Sequence, residues 1–343
     1  MSNLIWILRS TNSEVTDFYL ETVSSALEKA GFPTMMVPVE KVRECVATHA
    51  RSEDWFVSPS ALEACRIFSL GVKNVILWCQ GIIPEESYLR NRSKSKSAVL
   101  SLIEKLALKK AAFCLFVSDD MRRHYEVKYG LSFEGRCFVM PCFNSTLEEG
   151  SFLAEGKYDT PTFAYVGSMA AWQCFEATVD LYKELEVRLP GALLKVLTFD
   201  QGKARKVLRA KGVERYEVGC VPPEKVADEL ARVAYGFVIR KDDPVNQVAT
   251  PTKLSSYMAA GVIPVFSDCI GSFSGLARGL KYAIPVGMPV DVDAVARRCA
   301  EPVRREELLG EYRRVFDTYY SREYYVEGLA PLLGSVIHEG RRA

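Results

Sequence analysis

Residues 250–266 constrain the fold more than any other stretch, reading Thr-Pro-Thr-Lys-Leu-Ser-Ser-Tyr-Met-Ala-Ala-Gly-Val-Ile-Pro-Val-Phe. The pattern is a loop, a short helix and a buried strand. Thr250 suits an N-cap, and Pro251 suits the first helical position, where its missing N–H costs nothing. Leu254 and Met258 stand four apart and share one face. Gly261 suits the position that stops the helix. The apolar run of Val262, Ile263, Val265 and Phe266 predicts a strand covered on both faces, as in a parallel sheet. Lys253 breaks the local rule. A cation in the first turn meets the positive end of the helix dipole, which is unfavourable by roughly 0.3–1 kcal/mol. An anion bound at the helix start reverses that sign, whereas a solvated lysine merely tolerates a screened penalty.

The rest of the chain alternates. Strands are predicted at 4–8, 34–39, 55–57, 74–78, 113–117 and 137–140, with helices at 15–30, 61–70, 98–110 and 119–129 and a polar loop at 9–13. Residues 143–160 lack periodicity and read as a linker. Strands then recur at 162–166, 193–198, 215–219, 235–240, 262–266 and 281–285, with helices at 174–188, 203–211 and 224–233. A helical tail runs from 301 to 337 with a break near Ser321. Alternation of this kind predicts an α/β fold, parallel sheets with helices on both faces. The expected division is 1–150, 151–320 and a last helix over 321–343.

At 343 residues the chain is long enough for two cores. A formal net charge of +1 gives no global field for nucleic acid. Ten cysteines without a C-x-x-C pair, and three histidines, form neither a zinc pattern nor a disulfide framework. The short apolar N-terminus and the absence of any 18-residue apolar run predict a cytoplasmic protein without a transmembrane helix. No G-x-G-x-x-G follows a strand, which argues against a dinucleotide oxidoreductase.

The stretch Pro251-Thr252-Lys253, then Tyr257-Met258-Ala259-Ala260-Gly261, then Pro264-Val265 resembles the nucleotide-sugar motif of GT-B glycosyltransferases, in particular the large retaining group called family four. The resemblance implies two Rossmann-like domains whose parallel sheets face a cleft, with the C-terminal helix crossing back onto the first. It also implies that the helix start faces the donor diphosphate, so Thr250, Pro251, Lys253 and Ser256 become donor-site candidates. The group usually has Glu before Tyr-Met-Ala to hold the ribose; Ser256 stands there instead, and Val248 replaces the earlier carboxylate of the pair.

Other stretches carry the same likeness. Tyr165, Gly167, Ser168 and Trp172 are similar to a Tyr-x-Gly-Ser-x-x-x-Trp segment of polysaccharide glycosyltransferases, without the arginine many relatives place after the glycine. Taken alone the segment is also an ordinary strand–helix turn. Arg240, after the strand at 235–239, can supply a bidentate phosphate contact. Asp242 and Asp243 before Pro244 are explained by a turn, and no metal site is expected. Val117-Ser118-Asp119-Asp120-Met121 resembles the family's Val-Ser-x-x-Met, with Ser118 as N-cap. In the first domain Gln80 occupies the place where related enzymes often carry a histidine. Glutamine cannot act as a base, but it can hydrogen-bond a hydroxyl. Glu85 and Glu86 are candidates for a base or for acceptor hydroxyls, and equally for a helix-start pair favoured by the dipole. Arg90, Arg92, Lys94 and Lys96 open a basic stretch to Lys110 with apolar stripes, suited either to an anionic membrane surface at the inner face of the membrane or to a solvated helix.

The expectation is therefore a glycosyltransferase moving a sugar from a UDP- or GDP-sugar to a glycan or lipid-linked acceptor, without cofactor and without metal. A sugar-nucleotide epimerase on the same fold, or a non-catalytic glycan- or partner-binding module, are the alternatives.

Overall fold

The computed structural model describes residues 4–9, 14–51 and 53–340, and in 14–17 the backbone alone. The expected polar loop at 9–13 lies, beyond Arg9, outside the described residues. The chain separates into two compact units. Unit 1 comprises Met1–Asn144, Val248–Thr250 and Ser321–Ala343; unit 2 comprises Ser145–Gln247 and Pro251–Tyr320.

Unit 1 holds β1 (Ile5–Arg9), β2 (Thr34–Pro38), β3 (Trp55–Ser58), β4 (Val75–Cys79), β5 (Phe113–Phe116) and β6 (Cys137–Val139). They form one parallel sheet in the order β2-β1-β3-β4-β5-β6. Every residue of β3, β4 and β5 is buried, which is why these strands read as unbroken apolar runs. The helix Arg322–Gly340 packs against the helix Glu14–Lys29 and buries Tyr325, Leu329, Leu333 and Ile337. Arg322 binds Glu21 O at 3.2 Å and Ser25 Oγ at 3.0 Å.

Unit 2 holds β7 (Thr162–Val166), β8 (Leu193–Leu197), β9 (Tyr216–Gly219), β10 (Tyr235–Val238), β11 (Ile263–Ser267) and β12 (Ile284–Val286). Its parallel order is β12-β11-β10-β7-β8-β9. Successive strands from β7 run outward one way and then, from β10, the other. The order reverses between β7 and β10, and such a switch point leaves a crevice at the carboxyl ends of the strands. Phe163 stacks on Phe237 at 5.0 Å and on Tyr235 at 5.2 Å in the core below it.

Several expected boundaries move for visible reasons. The helix expected from Thr250 begins at Thr252 with Pro251 in the cap position, extended at ψ 119. Thr250 does not cap it, because its hydroxyl accepts the Cys142 N–H at 3.0 Å. At the other end Gly261 takes φ +70. Its N–H reaches Met258 O at 3.0 Å, and Val262 N–H reaches Tyr257 O at 2.8 Å, closing the helix with a left-handed glycine. The strand expected at 281–285 starts only at Ile284, since the N–H groups of Lys281 and Tyr282 are donated to Glu311 at 2.8 and 2.9 Å. The helix expected at 98–110 starts a turn earlier, at Lys94, because Ser93 accepts the Lys96 N–H. The expected linker contains a short helix, Glu149–Phe152. The tail is helical over Arg305–Thr318 and Arg322–Gly340, with the expected break at Ser321.

Candidate functional site

Three loops converge at the switch point of unit 2, and one buried tyrosine sets their spacing. Tyr257 is fully buried, and its hydroxyl accepts the Val166 N–H at 3.1 Å and donates to Ala164 O at 3.3 Å. A Cβ on Gly236 would overlap its ring, so only glycine in β10 lets the ring cross the strand. The helix Thr252–Ala259 is thereby fixed to the end of β7. Lys253, one turn before Tyr257 on the same face, is carried over the residues that follow that strand.

Gly167 takes φ +120, and a Cβ there would lie 3.0 Å from Lys253 Cε. Glycine thus permits both the backbone conformation and the passage of the lysine. The Lys253 ammonium lies 4.1 Å from the centre of the Tyr165 ring and donates to Gln173 Oε1 at 2.7 Å. Arg240 is 3 % exposed. Its Nη2 donates to the same Gln173 Oε1 at 2.6 Å, and its Nη1 donates to Gln173 O at 2.9 Å. Burial first, and then the neighbouring Arg240 charge, hold the Lys253 ammonium well below its ordinary range; burial likewise lowers Arg240. The ionisable groups that favour these two charges are the Tyr165 and Tyr257 phenols and the Cys174 and Cys269 thiols, with no carboxylate among them. A buried and a half-buried cation that share one neutral acceptor without an anion are costly.

The remaining donor-site candidates lie around this cluster. Ser168 is exposed, and its carbonyl accepts the Tyr165 hydroxyl at 2.7 Å. Trp172 is half-buried in the short helical turn Ala171–Gln173. The Ser256 hydroxyl bonds Ser145 Oγ at 3.2 Å and Thr252 O at 3.3 Å. Asp243 accepts the Asn246 N–H at 3.0 Å at the start of the helix Pro244–Val248, and Asp242 accepts from Gln247 at 2.8 Å, so both aspartates serve the turn. Among the described residues no group of three His, Cys, Asp or Glu side chains is placed to hold a metal ion. Gln173 is not among the residues the sequence singles out, since the loop after Gly167 carries no basic residue. Its amide shows no signal until Lys253 and Arg240 are seen to meet on it.

Unit 1 gathers a different set. The ends of β3 and β4 and the helix Ile83–Asn91 enclose a cavity of about 230 Å³ lined by Ser60, Gln80, Gly81, Glu86, Glu104 and Tyr125, among others. Gln80 Nε2 is buried there without a hydrogen-bond partner. The Glu86 carboxylate lies over Gly81, where a Cβ would overlap it, and burial raises its pKa. Glu85 is outside the cavity lining. Burial pushes its carboxyl up, but Lys128 at 2.6 Å and His124 at 3.5 Å outweigh that and hold it below its ordinary range. Glu85 is thus spent on an ion pair, and Glu86 alone of the two faces the cavity. Glu104 is 1 % exposed and accepts from Tyr129 at 2.6 Å, Ile83 N–H at 3.1 Å and Tyr125 at 3.3 Å. Arg90, Arg92, Lys94 and Lys96 are all exposed. On the following helix, Lys94–Lys110, Val99, Leu102 and Leu106 are exposed too.

No protein-family model matches the sequence, and no curated protein matches it. Solved structures do. The chain is similar to sucrose-phosphate synthase from Thermosynechococcus elongatus, with a TM-score of 0.73 at 14% identity over 98% of this chain and 100% of that one. It is similar to the lipopolysaccharide outer core galactosyltransferase WaaB, TM-score 0.60 at 14% identity, covering 97% and 99%. It is also similar to S. aureus TarM, captured with fondaparinux, alpha-GlcNAc-glycerol and UDP, TM-score 0.62 at 10% identity over 82% of this chain and 55% of that one. With two six-stranded parallel sheets and flanking helices, the chain has the fold of the GT-B glycosyltransferases.

Proposed function

We propose that this chain is a glycosyltransferase that moves a hexose-class sugar from a UDP- or GDP-sugar to a glycan or lipid-linked acceptor in cell-surface polysaccharide synthesis. The carrying observation is the meeting of Lys253 and Arg240 on Gln173 at the switch point of unit 2, two cations without a carboxylate. That arrangement suits a diphosphate. S. aureus TarM, whose structure contains UDP, shares the fold. In transfer with retention, the bond from the anomeric carbon to the diphosphate breaks and the acceptor oxygen bonds to the same face of that carbon. The acceptor proton passes to an oxygen of the leaving diphosphate. This route asks no carboxylate base of the protein, which suits glutamine at position 80. Lys253 and Arg240 balance the leaving charge in place of a metal, so activity is expected to survive EDTA. Calorimetric titration with UDP and GDP tests the reading. One of them should bind, and Lys253→Ala should weaken it about 10- to 100-fold, as for a lost charge-assisted hydrogen bond. Equal affinity in the variant would overturn it. Binding without transfer or donor hydrolysis would leave a binding module, and interconversion of the donor sugar would mark an epimerase.

The basic stretch supports a site of action at an anionic membrane surface. Val99, Leu102 and Leu106 are 57%, 69% and 44% exposed on one stripe of the helix Lys94–Lys110. The only acidic residue in that helix, Glu104, is turned inward. The outer face therefore carries apolar and positive groups with no acidic one, the pattern of an interfacial helix. Co-sedimentation should show binding to anionic vesicles that falls with salt. It should fall again when Arg90, Arg92, Lys94 and Lys96 become Ser. Equal partitioning to neutral vesicles would reject the electrostatic part.

A further inference from the structure

We propose that the Gln173 side-chain amide is an internal substitute for a donor phosphate oxygen, seated between Lys253 and Arg240 until a nucleoside diphosphate displaces it. The inference rests on the donor-site reading above. One carbonyl oxygen accepts from both cations, at 2.7 and 2.6 Å. A neutral amide dipole is a weak partner for two positive charges, and a phosphate oxygen carrying formal charge is a stronger one. The ionisable groups that act most on the two cations are phenols and thiols, and Arg240 Nη1 has one further partner, Ile239 O at 3.1 Å.

The exchange needs little rearrangement. Arg240 Nη1 also grips the Gln173 main-chain carbonyl at 2.9 Å, so the backbone of the turn Ala171–Gln173 stays anchored while the side chain swings away. Displacement costs the amide's two hydrogen bonds and gains the phosphate's. Gln173 therefore discounts the affinity of every phosphate-bearing ligand and leaves ligands without phosphate untouched. It keeps the two cations partnered when the site is vacant, which Arg240 needs because burial has removed its water.

The test is the sign of an affinity change. With UDP as the probe and uridine as its phosphate-free control, Gln173→Ala should tighten UDP binding about 3- to 10-fold, the range for one or two modest hydrogen bonds no longer broken. Uridine binding should stay the same. Gln173→Glu, which places a permanent carboxylate between the cations, should weaken UDP by at least about tenfold. The melting temperature of each nucleotide-free variant shows that it is folded, helped by the main-chain contact that neither substitution removes. If wild type binds UDP and Gln173→Ala weakens it or leaves it unchanged, the amide is a positioning group and the proposal is overturned while the donor site stands. If wild type binds neither UDP nor GDP, the donor-site reading falls and takes the proposal with it.

Discussion

At the carboxyl edge of unit 1, β3 and β4 lead into Ser60, Gln80 and Gly81, with Glu86 and Glu104 completing the cavity wall. At the same edge of unit 2, β7 and β10 lead into Gly167 and Arg240, with Lys253 laid across them. Both edges come from six parallel strands with loops at the same end, so the scaffold alone does not separate their chemistry. Charge does. Unit 1 lines its edge with carboxylates and an unpaired amide N–H, groups that hydrogen-bond hydroxyls. Unit 2 lines its edge with cations facing a neutral amide, which suits an anion. On a framework that both units share, a handful of loop residues gives each edge its own charge.

Giving unit 2 the sign of unit 1 carries the largest expected effect. Lys253→Glu should lower nucleoside diphosphate affinity by at least about 100-fold, since a charge-assisted bond is lost and a repulsion is added. Calorimetry showing less than a tenfold loss would mean that edge charge does not choose the ligand.

The buried charges below the edges extend the contrast. Burial raises the Glu104 carboxyl in unit 1, even with Tyr129 and Lys128 beside it. In unit 2, Lys157 is 3 % exposed; its ammonium donates to the carbonyls of Ser151, Leu230 and Ala260 and lies 5.5 Å from the centre of the Tyr158 ring. Burial lowers its ammonium from 10.5 to about 7. A raised carboxyl binds more protons folded than unfolded, so its contribution to stability falls as pH climbs out of the ordinary carboxylate range. A lowered ammonium binds fewer, so its contribution rises with pH from about 7 towards 10.5. Between pH 7 and pH 9 Lys157 should add about 2 kcal/mol to the stability of unit 2. Urea titrations of wild type and Lys157→Met should diverge over that interval, and parallel profiles would remove the contrast.

The smallest effect is expected at Glu86. Glu86→Gln should raise the acceptor KM about 3- to 10-fold, as one hydrogen bond weakens from a charged acceptor to a neutral one, with donor affinity unchanged. Gly81→Ala should act in the same direction by pushing the carboxylate aside. A matching loss of donor affinity would show that the two edges do not divide the work.

The sequence made the strands legible because burial on both faces wrote them as apolar runs; β7 matches its expected span of 162–166. Lys253 was legible because a cation in a first helical turn is out of place without an anion. What stayed hidden depended on distant partners. Glu311 takes the N–H groups that would have lengthened β12, and it lies far along the chain. Cys142 takes the Thr250 hydroxyl and with it the expected cap. Gln173 matters only because two side chains from other loops end on its oxygen, and no local pattern encodes that meeting.

The chain passes between the units four times, and this has a consequence for the order of assembly during synthesis. Val248–Thr250 belongs to unit 1 although unit 2 surrounds it in sequence. Ser118 Oγ donates to Val248 O at 2.7 Å, a bond that waits for more than a hundred residues of intervening chain. The helix Arg322–Gly340, which covers Glu14–Lys29, is made later than every residue of unit 2. A ribosome therefore delivers all of unit 2 before unit 1 can close, and the first helix emerges with its apolar face uncovered. A chain halted at Tyr320 would keep the cation cluster and lose the cover of the opposite unit, so truncation should expose the older half of the nascent chain to proteases and chaperones first.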